Sequence, residues 1–452
     1  MLLLAGAALL SGCGSKQEAV VTTPVVTPPR HVDTTPDVRL ARVQVTVVDG
    51  DTNRRVRGAR VSIGKHAARS DRHGVAHVPL LHRGAYITVA AKAGYTTRAV
   101  RLSLETHPKS TIRIYQRSLQ WTEYKADPPL SIRPPFKVVW SRGLGALIEF
   151  PAVVEGGIAY IANARGSVRA LDMRTGHLVW RHDIPHGKMA SSPAVVGKTL
   201  VVNGMDGHVW VLRRSDGRLL WHYTVGSPVE SSAVVVDGAD VFGSWNGTVT
   251  ALDLRTHRVR WRHTFGCKIT SSVAVSGATL FFGDYCGRLL ALRASTGALL
   301  WSRSVNGRVY GTPAVSGGRV FVPSSTGGSL TAFSTHGAYL WRRSTGSYVY
   351  SSPAAADGRV FFGSYNGVFY GLSARTGATL WEHSTGGPIS GAAVVVDGVA
   401  YAGSFAHRIL GVDARSGRVL IDFPHGEYVP VSGSGRRLLL HGYSRLYAVE
   451  RA

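Results

Sequence analysis

Carboxylates are scarce in this chain of 452 residues: 27 Asp+Glu stand against 52 Lys+Arg, a formal charge of +25. So few acids, nowhere clustered, leave no set of side chains for a calcium cage. Charged residues of either sign make up only 17% of the chain, while glycines number 53. That balance excludes an architecture of long amphipathic helices and points to many short strands joined by tight turns. The basic excess favours anionic partners, but its residues are scattered and form no dense run, so no nucleic-acid partner is expected. Cysteine is scarcer still, at positions 13, 267 and 286 only.

The amino terminus has an apolar run too short to cross a bilayer, ending in small residues, which reads as an export signal. Leu10-Ser11-Gly12-Cys13 resembles the bacterial lipobox. The resemblance implies that residues 1–13 carry a signal peptide with its lipobox and that Cys13 takes the lipid. No Lys or Arg precedes the run, a departure from the usual signal. Residues 14–40 contain Pro24, Pro28, Pro29 and Pro36 and read as an extended tether. The expected location is extracytoplasmic, lipid-anchored at a periplasmic face or cell surface.

From residue 41 to 117 the texture changes to alternating strands, with turns at Asp49-Gly50-Asp51 and Asp71-Gly74 and further strands about Gly94-Tyr95. Gly58-Ala59, Ser70-Asp71, Gly74, Gly84, Tyr86 and Gly94-Tyr95 resemble the carboxypeptidase-regulatory-like β-sandwich, whose members serve as stalks or binding modules. His66, His73, His77 and His82 match no zinc spacing and are taken as surface histidines. Residues 118–135, rich in proline, form a linker.

Trp180, Trp221, Trp261, Trp301, Trp341 and Trp381 recur at intervals of about forty residues, with Trp140 one period earlier and Ile421 one period later. Each unit holds four short apolar segments separated by Gly-containing turns, which is what a propeller blade requires. Segments such as 170–180 (ALDMRTGHLVW) and 371–381 (GLSARTGATLW) resemble the tryptophan-docking repeats of the pyrroloquinoline-quinone type, in which the ring packs on the adjacent blade. The fold expected is all-β: a small β-sandwich followed by an eight-bladed propeller over 136–452. The last unit lacks an outer strand, and residues 136–140 are expected to supply it, closing the ring.

Cys267 and Cys286 flank a predicted hairpin at positions whose numbers sum to 553, as antiparallel partners about a turn at Ser276-Gly277 should, and a disulfide is expected. Quinone enzymes with this repeat carry two adjacent cysteines and long insertions over the funnel. Here the cysteines are separated and the units keep nearly constant length, so no catalytic residue, metal or cofactor is assigned. Glu230 alone stands near the start of an inner strand.

The turns between second and third strands align Met205, Trp245, Tyr285, Tyr365, Phe405 and Tyr443. Just before the inner strands come Lys188, Lys268 and Arg308, with Tyr310, Tyr348 and Tyr350 nearby. Aromatics beside cations on one rim suit a peptide, a glycan or an anionic polymer. The whole propeller resembles the lipoprotein family that forms the B subunit of the outer-membrane barrel-assembly machinery; the sandwich is a departure from it. That resemblance implies a non-enzymatic, monomeric scaffold for envelope proteins or anionic envelope polymers. The alternative is a quinone-binding, dehydrogenase-like enzyme.

Overall fold

The computed structural model describes residues 40–49, 55–81, 84–93, 95, 97–103, 109–114, 118–119, 132–185, 187–428 and 431–452. The 1–13 signal peptide with Cys13, all of the 14–40 tether but its last residue, Gly50-Asp51 of the first turn, His82, Gly94 and most of the linker lie outside the described residues.

In the amino-terminal unit, Leu40–Asp49 lies between Val75–Leu81, antiparallel, and Lys109–Ile114, parallel. A second sheet runs in the order His66–Arg69, Arg60–Ile63, Ala85–Ala91, Arg98–Ser103. Period-two alternation directs Val43, Val45, Val47, Val61, Ile63 and Val78 into one core at 0% exposure. The sequence suggested one strand beginning near Ala59; a turn at Gly64 splits it into Arg60–Ile63 and His66–Arg69.

Eight four-stranded antiparallel sheets follow, and one of them gains a fifth strand. In each of the first seven, strands pair in sequence order from inner to outer, as in Ala354–Ala356, Arg359–Gly363, Val368–Ser373 and Thr379–Ser384. The eighth takes Val431–Ser434, Arg437–His441 and Arg445–Arg451 from the carboxyl end and Phe136–Gly143 as outer strand, with Trp140 opposite Ala448. The ring is thus closed by the strand expected at residues 136–140, which runs on to Gly143. The fifth strand, Ser118–Leu119, adds to the inner strand Ala274–Ser276 of the fourth blade.

The inner strands are shorter than the apolar pattern implied, two to four residues rather than a full segment. The Ser-Ser pairs before them spend their hydrogen bonds on neighbouring blades instead. Ser192 N donates to Ser232 Oγ, Ser232 N to Ser272 Oγ, Ser272 N to Thr312 Oγ1, and Thr312 N to Ser352 Oγ, each across 40 residues. Buried polar groups near the central axis are thereby satisfied by the repeat itself.

The tryptophans join blades at the outer strands. The indole N–H of Trp180 donates to Arg214 O at 2.8 Å, and Trp140, Trp261, Trp301, Trp341 and Trp381 do the same one blade on. Each of these rings also covers a left-handed glycine: a Cβ on Gly377 (φ +72°) would lie 2.6 Å from Trp341. The third blade departs from the pattern. His257 takes the glycine position at φ 59°, and Trp221 stacks on it with ring centroids 4.2 Å apart.

Candidate binding face

Antiparallel order sends alternate connections to opposite faces of the disc. One face, here the loop face, collects the second-to-third-strand turns and the segments that lead into each inner strand. The other, the turn face, collects inner-to-second turns and third-to-outer loops.

On the loop face a backbone bond recurs that fixes each turn against the segment leading inward. Met205 N donates to Lys188 O, Trp245 N to Pro228 O, Tyr285 N to Lys268 O, Ser325 N to Arg308 O, Tyr365 N to Tyr348 O, and Phe405 N to Pro388 O. The side chains at these positions therefore stand beside one another. Cys267 and Cys286 belong to one such pair of segments and are joined as a disulfide with Cα atoms 5.8 Å apart. They lie beyond the strand ladder, whose partners, such as Ala274 and Phe281, sum to 555 rather than 553.

Around Glu230 the contacts are dense. Its carboxylate, 8% exposed, accepts from Trp245 Nε1 at 2.9 Å and from Tyr310 OH at 2.5 Å. Lys268 Nζ sits 3.3 Å over the Trp245 ring and 4.9 Å from the Tyr285 centroid, and the Arg308 guanidinium lies 5.8 Å from Tyr285. An aromatic chain continues outward from Tyr310. Tyr310 meets Tyr350 at 5.5 Å, Tyr350 meets Tyr365 at 4.9 Å, Tyr365 meets Phe405 at 6.0 Å, and Phe405 meets Tyr428 at 5.1 Å. Tyr348 touches both Tyr350 and Tyr365 and is 49% exposed. Lys188, by contrast, is exposed on the loop between the first and second blades, with Met205 held beside it. Sequence reasoning missed Glu149 and Tyr428, which lie in the two loops flanking the ring closure, where the forty-residue register breaks.

Burial sets the electrostatics. It pushes the Tyr285 phenol up to about 12 and, with Glu230 adding, raises that of Tyr310 further. Burial also lowers the Lys268 ammonium, against the opposing pull of Glu230. Glu149 is raised, first by burial and then by the neighbouring Glu230 charge. The phenols are thus neutral donors at ordinary pH. Among the described residues no group of three His, Cys, Asp or Glu is placed to hold a metal. What the arrangement offers is flat aromatic ring surface beside two cations, a recognition chemistry.

Fold and face together define an eight-bladed propeller of tryptophan-docking repeats. The family profile described as "Outer membrane protein assembly factor BamB" matches residues 119–244 and 245–452, and the chain belongs to that family. A relative of that name from Burkholderia pseudomallei is 34% identical over 119 residues, 26% of this chain and 29% of its own length. The matched stretch thus spans under a third of that relative. The crystal structure of BamB from Moraxella catarrhalis superposes with a TM-score of 0.60 at 18% identity, covering 70% of this chain and all of that one. Quinohemoprotein alcohol dehydrogenase from Comamonas testosteroni shares the fold at a TM-score of 0.58 and 14% identity, covering 70% of this chain and 76% of its own.

Proposed function

We propose that this chain is a non-enzymatic scaffold, lipid-anchored at Cys13, whose loop face binds envelope proteins during outer-membrane protein assembly. The observation that carries the reading is the unbroken aromatic contact from Tyr310 to Tyr428, set beside Lys268 and Arg308. Rings fixed by their neighbours present binding area with little conformational entropy left to lose. The family membership supplies the setting: the relatives carry the name of an outer-membrane assembly factor. The dehydrogenase likeness is one of fold and carries no function by itself.

The test is affinity capture from crosslinked envelopes with the intact chain and with Trp245→Ala/Tyr310→Ala/Tyr365→Ala. Loss of the principal partners in the variant supports the reading. Unchanged capture, or tight stoichiometric binding of pyrroloquinoline quinone with calcium by calorimetry, overturns it.

A further inference from the structure

The turn face and its rim have a different chemistry. At the start of most outer strands two adjacent apolar residues are exposed together, such as Leu178-Val179 (52% and 49%), Leu299-Leu300 (51% and 42%) and Tyr339-Leu340 (60% and 40%). Neighbours on a regular strand point to opposite faces. Here the ladder shifts at this place in every blade, leaving the second residue of each pair without a partner, as between Ala170/Leu171 where Trp180 and Leu178 pair and Val179 does not. A bulge of this kind bends and twists the outer strand. Single exposed apolar residues need no explanation, but their recurrence around a ring does.

Beside these pairs the tips of the third-to-outer loops expose Arg174, Arg255, Arg375 and Arg415, and the inner turns expose Lys198 and Arg436. Asp172, Asp253 and Asp413 of these loops each accept a backbone N–H group of their own turn, while Asp216 in the second blade's loop and Asp237, Asp357 and Asp397 in three inner turns are exposed among the cations. The segment from the amino-terminal region also arrives on this face. Arg133 pairs with Asp413, and Ala452 N donates to Pro135 O just before the outer strand Phe136–Gly143 begins.

We propose that the turn face is a bilayer-docking surface: its apolar annulus enters the headgroup region of an anionic phospholipid membrane while the loop-tip arginines meet the phosphates. The combination of exposed apolar pairs and unshared arginines on one rim is the composition that interfacial binding needs. Docking in this sense directs the loop face away from the membrane, and it does not depend on what the loop face binds.

The experiment uses the chain from residue 13 onward with Cys13→Ser, which keeps every described residue and carries no lipid. It is sedimented with vesicles of phosphatidylcholine alone or with one third phosphatidylglycerol. Binding should favour the anionic vesicles and weaken as salt is raised. Arg174→Gln/Arg255→Gln/Arg375→Gln/Arg415→Gln should lose about fivefold in vesicle affinity per charge removed. Leu178→Ser/Leu299→Ser/Leu300→Ser should lower binding to anionic vesicles further, with an unchanged melting temperature because these side chains are exposed. Trp245→Ala/Tyr365→Ala, on the other face, should leave vesicle binding as it was. Equal binding to both vesicle types, or unaltered binding by the arginine variant, overturns the proposal. So does a dimer that the leucine variant dissociates without change in vesicle binding, since a second copy would then cover the rim.

Discussion

The two ends of each blade are built from the same strands and behave differently. At the tryptophan end the chemistry repeats: an indole N–H meets a carbonyl one blade on in six places, each over a left-handed glycine. At the loop end the backbone bond repeats but the side chains do not. Equivalent positions hold Met205, Trp245, Tyr285, Ser325, Tyr365 and Phe405. A position that must pack the same neighbour in every blade is constrained alike each time. A position free of that duty varies, and here the variation concentrates aromatics on one side, from the third blade to the loop before the eighth. Repetition marks what holds the ring together; departure from it marks the recognition surface.

The largest effect should come from breaking a repeated contact. Trp341→Ala removes a ring that is 8% exposed and should cost about 3–5 kcal/mol by denaturant titration. Trp221→Ala, where the ring is only half-buried and stacks on His257, should cost less. Equal losses would erase the distinction drawn for the third blade. Removing the loop-face disulfide by Cys267→Ser/Cys286→Ser should cost about 3 kcal/mol through the freedom restored to the unfolded chain. The same protein under reducing conditions should melt at the lower temperature of the variant.

Smaller again is Gly377→Ala, which sets a Cβ against the Trp341 ring in a left-handed conformation and should cost about 2 kcal/mol. The reverse exchange, His257→Gly, should change stability by less than about 1 kcal/mol, since it gives the third blade the glycine used elsewhere. The smallest effect concerns Glu149. Its carboxyl is raised in the folded state, so the folded protein holds that proton more tightly than the unfolded chain does. Stability is therefore lost as pH rises from the ordinary carboxylate range through the raised value. Glu149→Gln should raise the melting temperature at neutral pH and give no gain in strong acid; a gain of equal size in acid would contradict the assignment.

These differences explain what the sequence could show. The ring, its eight blades and its closure by Phe136–Gly143 were legible because Trp140 and Ile421 sit on the period of the other six positions. The loop-face aromatics were legible as aligned turn residues. That Lys268 would lie over Trp245, or that Glu230 would accept from both Trp245 and Tyr310, was not, because the partners lie 15 to 80 residues apart and Lys268 and Tyr310 come from other blades than Glu230 and Trp245. Glu149 and Tyr428 escaped because they flank the closure, where no repeat aligns them. The Ser and Thr bonds between inner strands were not legible either, because each joins residues forty apart in neighbouring blades.

The most direct measurement places a photo-crosslinking amino acid at Tyr365 on the loop face or at Arg375 on the turn face of the same blade, in living cells. The account predicts covalent adducts with outer-membrane assembly proteins from position 365 and none from position 375. Protein adducts from 375 alone, or equally from both, would contradict it.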